Sequence, residues 1–165
     1  MTTACGGDGY QRPTAIAVSV EVLEPDAPVD VEVTDLDRDG DELQHGVHVT
    51  WQGDQTVRLD DARFAHHVAE DSSDLITLGR GCGANWDEAS EEVFLACTAD
   101  LQLILVAPGE THEYSVRIPY EVGPLRLRPG RYVVEEPIHW WQQDDISAQP
   151  GAEGEFTLRL TYDVE

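Results

Sequence analysis

Hydrophobic and polar positions alternate with a period of two along most of this chain. Ile16, Val18, Val20 and Val22 stand against Ala17, Ser19 and Glu21, and Val29, Val31 and Val33 stand against Asp30 and Glu32. Val47, Val49 and Trp51 share one side of VHVTW, and Tyr114, Val116 and Ile118 repeat the pattern. Phe156, Leu158, Leu160, Tyr162 and Val164 give its cleanest instance. Successive side chains of a strand point to opposite faces, so each run predicts a strand with one buried face. TVRL, LITL, EVFLACT and LQLILVAPGE are shorter candidates, and GPLRLRPGRYVVEEPIHWW reads as strand, Pro129-Gly130 turn, strand. The total is roughly eight to ten strands separated by turn residues, the pattern of an antiparallel β-sandwich. One helical turn is expected over residues 60–70, DDARFAHHVAE, with Asp60 or Asp61 as its cap and Phe64, Ala65 and Val68 on one face. No alternation of strands with helices occurs, so a parallel-sheet enzyme scaffold is not implied.

The segment LVAPGETHEYSVRIPYEVGPLRLRPGRYVV resembles bacterial immunoglobulin-like domains, which read Leu-x-Pro-Gly-Glu, an alternating strand, then Pro-Gly-x-Tyr-x-Val. It is also similar to the C-terminal stretch of the bacterial intracellular proteinase inhibitors. Turn chemistry carries the likeness. It implies an all-β, antiparallel immunoglobulin-like sandwich with at most one short helix, and it transfers no functional residue. Residues 14–165 are expected to form this domain, behind a small, polar, Gly-rich tether over residues 1–13.

Charge narrows the partners. The chain of 165 residues holds 33 Asp and Glu against 10 basic residues, all of them Arg, for a net charge of −23. Such a surface repels nucleic-acid phosphates and anionic lipid headgroups. Nucleic acid is therefore set aside, and membrane attachment is expected only through a lipid anchor. Cations, basic proteins and neutral ligands remain. The hydrophobic fraction of 41% is enough for a packed interior.

The three cysteines divide into a pair and a single residue. Cys82 and Cys97 are fifteen positions apart and flank CGANWDEASEEVFLAC. A disulfide there would stabilise by about 3 kcal/mol through loop closure and would persist only in an oxidising compartment. Two reduced, buried cysteines are the alternative. TTACGG resembles the end of a bacterial lipobox, with Ala4 before Cys5 and Gly6-Gly7 behind it, although Thr2 stands where such motifs carry Leu. The resemblance implies an envelope lipoprotein, lipidated at Cys5.

Three other constellations could carry chemistry. In DLDRDGDEL, Asp35, Asp37 and Asp39 alternate before Gly40, as in the first half of a calcium loop, with Asp41 or Glu42 as supplement. The second half fails, because Gly46 stands where the bidentate Glu belongs. A solvated hairpin tip is the plain alternative. His45 and His48 are three apart and diverge on a strand, as do His66 and His67, so no transition-metal pair forms locally. Trp140 and Trp141 are adjacent, which predicts one facing in and one out, and Trp86 lies inside the Cys82–Cys97 loop. Trp86, Trp140 and Trp141 are thus the candidate contacts for a protein partner. No nucleophile motif is present, and no enzyme is expected. The expected function is a non-catalytic envelope or secreted domain acting in protein interaction or assembly. A calcium-stabilised adhesion or carbohydrate-binding module and a protease inhibitor are the alternatives.

Overall fold

The computed structural model describes residues 9–142 and 154–165, and the period-two runs become strands there. In chain order these are β1 (Ile16–Val22), β2 (Val29–Val33), β3 (Asp37–Asp39), β4 (Glu42–Trp51) and β5 (Val57–Leu59). β6 (His66–Glu70), β7 (Ser73–Thr77), β8 (Cys82–Asp87), β9 (Glu92–Cys97) and β10 (Ile104–Val106) follow. The last are β11 (Thr111–Pro119), β12 (Glu121–Val122), β13 (Leu125–Arg126), β14 (Gly130–Gln142) and β15 (Gly154–Val164). One sheet orders β1, β15, β14, β5 and β10 side by side; the other orders β11, β4 and β2, with β3 also paired to β4. The pairs β6–β7, β8–β9 and β12–β13 form separate two-stranded ladders. Every ladder is antiparallel, and no helix occurs among the described residues, so the fold is an all-β antiparallel sandwich.

Register explains the core. β14 and β15 pair from Gly130↔Val164 to Trp140↔Gly154, which sets Tyr132 opposite Tyr162, Val134 opposite Leu160 and Ile138 opposite Phe156. These side chains are buried together with Val47, Val49 and Trp51 of β4 and Tyr114, Val116 and Ile118 of β11. Full burial of one such apolar side chain is worth about 1.5–3 kcal/mol. The contact between the two inner faces, not any single polar bond, therefore holds the sheets together. A second, smaller cluster of Ile76, Leu78 and Cys82 lies under the β8–β9 hairpin.

The helical turn expected over residues 60–70 is not formed; β6 occupies His66–Glu70 instead. Two contacts explain the change. Asp61, the expected cap, turns its carboxylate to the Gln102 N–H at 2.8 Å and to Arg80 Nη2 at 2.5 Å. Phe64 adopts φ 46°, outside the helical region, and its carbonyl accepts a 2.6 Å hydrogen bond from Thr77 Oγ1. All three partners, Gln102, Arg80 and Thr77, lie beyond residues 60–70, where local periodicity carries no information.

The contacts of the domain begin before residue 14. Tyr10 donates its hydroxyl to the Leu127 carbonyl at 2.6 Å, and Arg12 pairs with Asp41 at 2.8 Å. Pro13 is buried, with its carbonyl accepting from Arg38 Nη2 at 2.8 Å.

Candidate functional site

The outer face of the five-stranded sheet holds a cross-strand row of unlike residues. Trp141 of β14 lies opposite Arg58 of β5, and Arg58 lies opposite Leu105 of β10. Directly opposed residues share a face, so all three point outward together. The Arg58 guanidinium stacks on Trp141, with Cζ 4.5 Å from the ring centroid. Such stacking holds the half-buried indole in one orientation. His139, two residues back on the same face, lies 6.4 Å from Trp141 between ring centroids. Its two nitrogens reach Asp60 at 3.3 Å and Glu155 at 3.2 Å.

Beside this row, Leu101, Leu103 and Leu105 are 76%, 59% and 43% exposed. With Trp141, Arg58, Asp60 and Gln102, the first two of these leucines line a shallow groove of about 420 Å³. Its floor is fixed by Asp61. Burial pushes that carboxyl up, but the Gln102 N–H, Arg80 and Arg63 together outweigh burial and hold it below the ordinary aspartate range. The hydrogen bond from its N–H ties Gln102 and its neighbouring leucines to Asp61, just past the end of β5, and Arg80 pairs with the same carboxylate. An apolar patch on a surface this acidic is a candidate for contact with another molecule.

The other residues singled out in the sequence fall as follows. Trp140 turns inward, 5.2 Å from Trp51 between ring centroids, and packs against the core. As a contact residue it is therefore withdrawn. The reason is parity, since Trp140 shares the inner face with Ile138. Trp86 packs against Gly123 and forms one wall of a groove of about 500 Å³ together with Glu42, Asn85, Arg117 and Glu121. Phe94, on the opposite side of that hairpin, is 52% exposed. Cys82 and Cys97 are directly opposite each other and joined by a disulfide. Arg117 donates to the Cys82 carbonyl, and Arg63 donates to the carbonyls of Arg80 at 2.6 Å and Asp100 at 2.5 Å, so two arginines moor the base of the hairpin. Cys5 lies outside the described residues.

The Asp-rich segment forms a hairpin tip. Asp37 and Asp39 belong to β3, Gly40 turns the chain at φ 59°, and β4 begins at Glu42. Asp39 accepts from Gln44 Nε2 at 3.0 Å and Asp41 from Arg12, while Asp35 and Asp37 line a polar hollow with Thr34, Gly46 and Glu113. Among the described residues no three His, Cys, Asp or Glu side chains converge on a point suited to a metal ion. His45 and His48 diverge: His45 is buried against Tyr162, and His48 pairs with Glu113 at 2.7 Å on the outside.

Arg58, Leu101, Leu103 and Leu105 did not stand out as site residues in the sequence. A signal was there: Leu101–Val106, LQLILV, runs without a charge in a chain that is 26% charged. In the sequence it is only a short candidate strand, because the run does not reveal that its strand ends a sheet. The chain matches no family model, and no curated protein or solved structure is detectably similar to it.

Proposed function

We propose that this chain is a non-catalytic interaction domain of the cell envelope or extracellular space, tethered by lipid at Cys5, that meets a protein partner through the face around Trp141. The observation that carries the reading is the row of half-buried Trp141 and Arg58 with exposed Leu105, and exposed Leu101 and Leu103 beside it, on a chain of charge −23. Aromatic and Arg residues are the side chains that most often anchor protein contacts. The Cys82–Cys97 disulfide supports a non-reducing compartment. The likeness to bacterial immunoglobulin-like domains supports the finer fold assignment.

Site-specific crosslinking tests the contact. A photoreactive residue at position 141 in the native host should trap one defined protein in the envelope or medium, while the same residue at Glu135, farther along the same outer face, should not. Equal trapping at both positions, or a chain found reduced in the cytosol, would end the proposal.

A further inference from the structure

Among the described residues the five-stranded sheet ends at β10, with no strand paired to its far side. In an antiparallel ladder the N–H and C=O of one residue point to the same side, and successive residues alternate sides. Asp60 donates its N–H to the His139 carbonyl at 2.8 Å, so Asp60, and with it Arg58, faces β14. Leu59 and Val57 therefore turn their backbone groups to β10, toward Ile104 and Val106. The Gln102 N–H reaches Asp61 on that same side. Leu103 and Leu105 are left with backbone N–H and C=O directed away from β5, and among the described residues no strand lies beyond them.

Exposed edges are commonly blunted by Lys, Pro or inward-pointing charge. Leu101–Val106 has none of these. Its side chains instead alternate, Leu101, Leu103 and Leu105 outward and Ile104 and Val106 into the core. This is a strand half: one open row of hydrogen-bonding groups, with apolar side chains at every second position. The free backbone groups select an extended chain.

Charge selects among extended chains. A second copy of this protein would bring a second charge of −23 to the same edge. Asp60 and Asp100 beside the edge are already paired with His139 and Arg80, so it is the net charge of −23 that favours a cationic segment over an acidic one. We infer that the open edge of β10 is a docking site for an extended segment of a partner protein in which apolar residues alternate with Arg or Lys. The segment adds a sixth strand to the sheet. Its apolar side chains continue the Trp141–Arg58–Leu105 row, and its cations, on the opposite face, are favoured by the net charge of −23. This inference rests on the proposed contact role of the Trp141 face and specifies how that face is used.

The test uses the full chain, a short peptide of alternating Arg and Val, and a block peptide of the same composition, all at about 0.15 M salt so that loose charge attraction is screened. Amide hydrogen exchange and the Trp141 indole resonance are followed together. The alternating peptide should slow exchange at Leu103 and Leu105, and the block peptide should not. Leu103→Pro removes one outward N–H at a position where an edge tolerates Pro. It should weaken binding about tenfold or more with an unchanged melting temperature. The exchange readout needs only the wild-type chain, so it decides even where the variant does not fold. Equal binding of both peptides, or none by the alternating one, would overturn strand docking. A shifted Trp141 resonance without slowed exchange would also overturn it, yet leave the Trp141 contact standing. Amides of Leu103 and Leu105 already protected in a sedimenting dimer would assign the edge to a second copy instead.

Discussion

Tyr162 donates its hydroxyl proton to His45 Nε2 at 2.7 Å, inside the interior between the two sheets. The direction follows from the other ring nitrogen. Nδ1 faces the Gly46 carbonyl at 3.2 Å, an acceptor only, so Nδ1 carries the hydrogen and Nε2 accepts. His45 belongs to β4 and Tyr162 to β15, and the bond therefore crosses the sandwich. Burial pushes the imidazole below its ordinary range, despite the Gly46 carbonyl, and pushes the phenol above its own. A neutral His is held where a charged one would be costly.

Tyr162→Phe leaves the shape of the core almost intact and strips Nε2 of its donor. A buried acceptor without a partner costs about 1–3 kcal/mol. The urea midpoint at neutral pH should fall accordingly, with an unchanged slope. A midpoint within error of wild type would show that water replaces the phenol.

Acidification should act through the same residue. The unfolded chain takes up a proton on His45 near pH 6.5, whereas the folded chain resists it. Below that value the unfolded state binds more protons, so the His45 share of stability is present above the unfolded pKa and is lost as pH falls toward the folded one. His45→Gln removes the titration and keeps an acceptor for Tyr162. Between about pH 7 and pH 5 the variant should lose less stability than wild type. Parallel curves for the two would contradict the assignment.

Two glycines of neighbouring segments should respond in opposite ways. A Cβ at Gly79 would land on the backbone carbonyl of Arg63, which cannot swing aside, while a Cβ at Gly83 meets nothing within 4 Å. Gly79→Ala should cost about 2 kcal/mol or more, and Gly83→Ala should stay within about 0.5 kcal/mol. Thermal melts of the pair decide it, the expected order being reversed if the Arg63 segment can shift.

Reduction of Cys82–Cys97 should open one hairpin rather than the whole fold. The bridge closes a separation of 15 residues, for a loop-closure contribution of about 3 kcal/mol. Among the described residues the β8–β9 ladder pairs with no other strand. Cys82→Ser with Cys97→Ser should speed amide exchange over residues 83–96 and leave the β14–β15 amides protected. Uniformly faster exchange in both regions would mean that the bridge supports the sandwich itself.

Calcium should leave the melting temperature unmoved. Asp39 and Asp41 are engaged by Gln44 and Arg12. An ion present at a hundredfold over its Kd would add about 2.7 kcal/mol, a shift that scanning calorimetry reads easily. Such a shift on adding millimolar calcium, reversed by a chelator, would restore the adhesion-module reading.

The alternation of residues by itself determined the long strands and most of the core, while β3, β6 and β12 were not read from it. Val47, Val49 and Trp51, or Leu158, Leu160 and Tyr162, needed only a period of two, because a strand with one buried face imposes that period on its own side chains. That one of Trp140 and Trp141 faces in and the other out was legible too, though not which, and so was the separation of the bridged cysteines. Tertiary structure decided everything set by partners distant in the chain. Glu136, at an inward-facing position of β14, pairs with His66 seventy residues away, and Asp61 caps Gln102 rather than a helix. The contact face belongs to this second kind. Arg58 meets Trp141 and Leu105 only once β5 is laid between β14 and β10, and LQLILV ends the sheet only because, among the described residues, no strand pairs with its far side. Periodicity is a property of one strand; the order of strands, and therefore which one ends a sheet, is a property of the pairings among all of them.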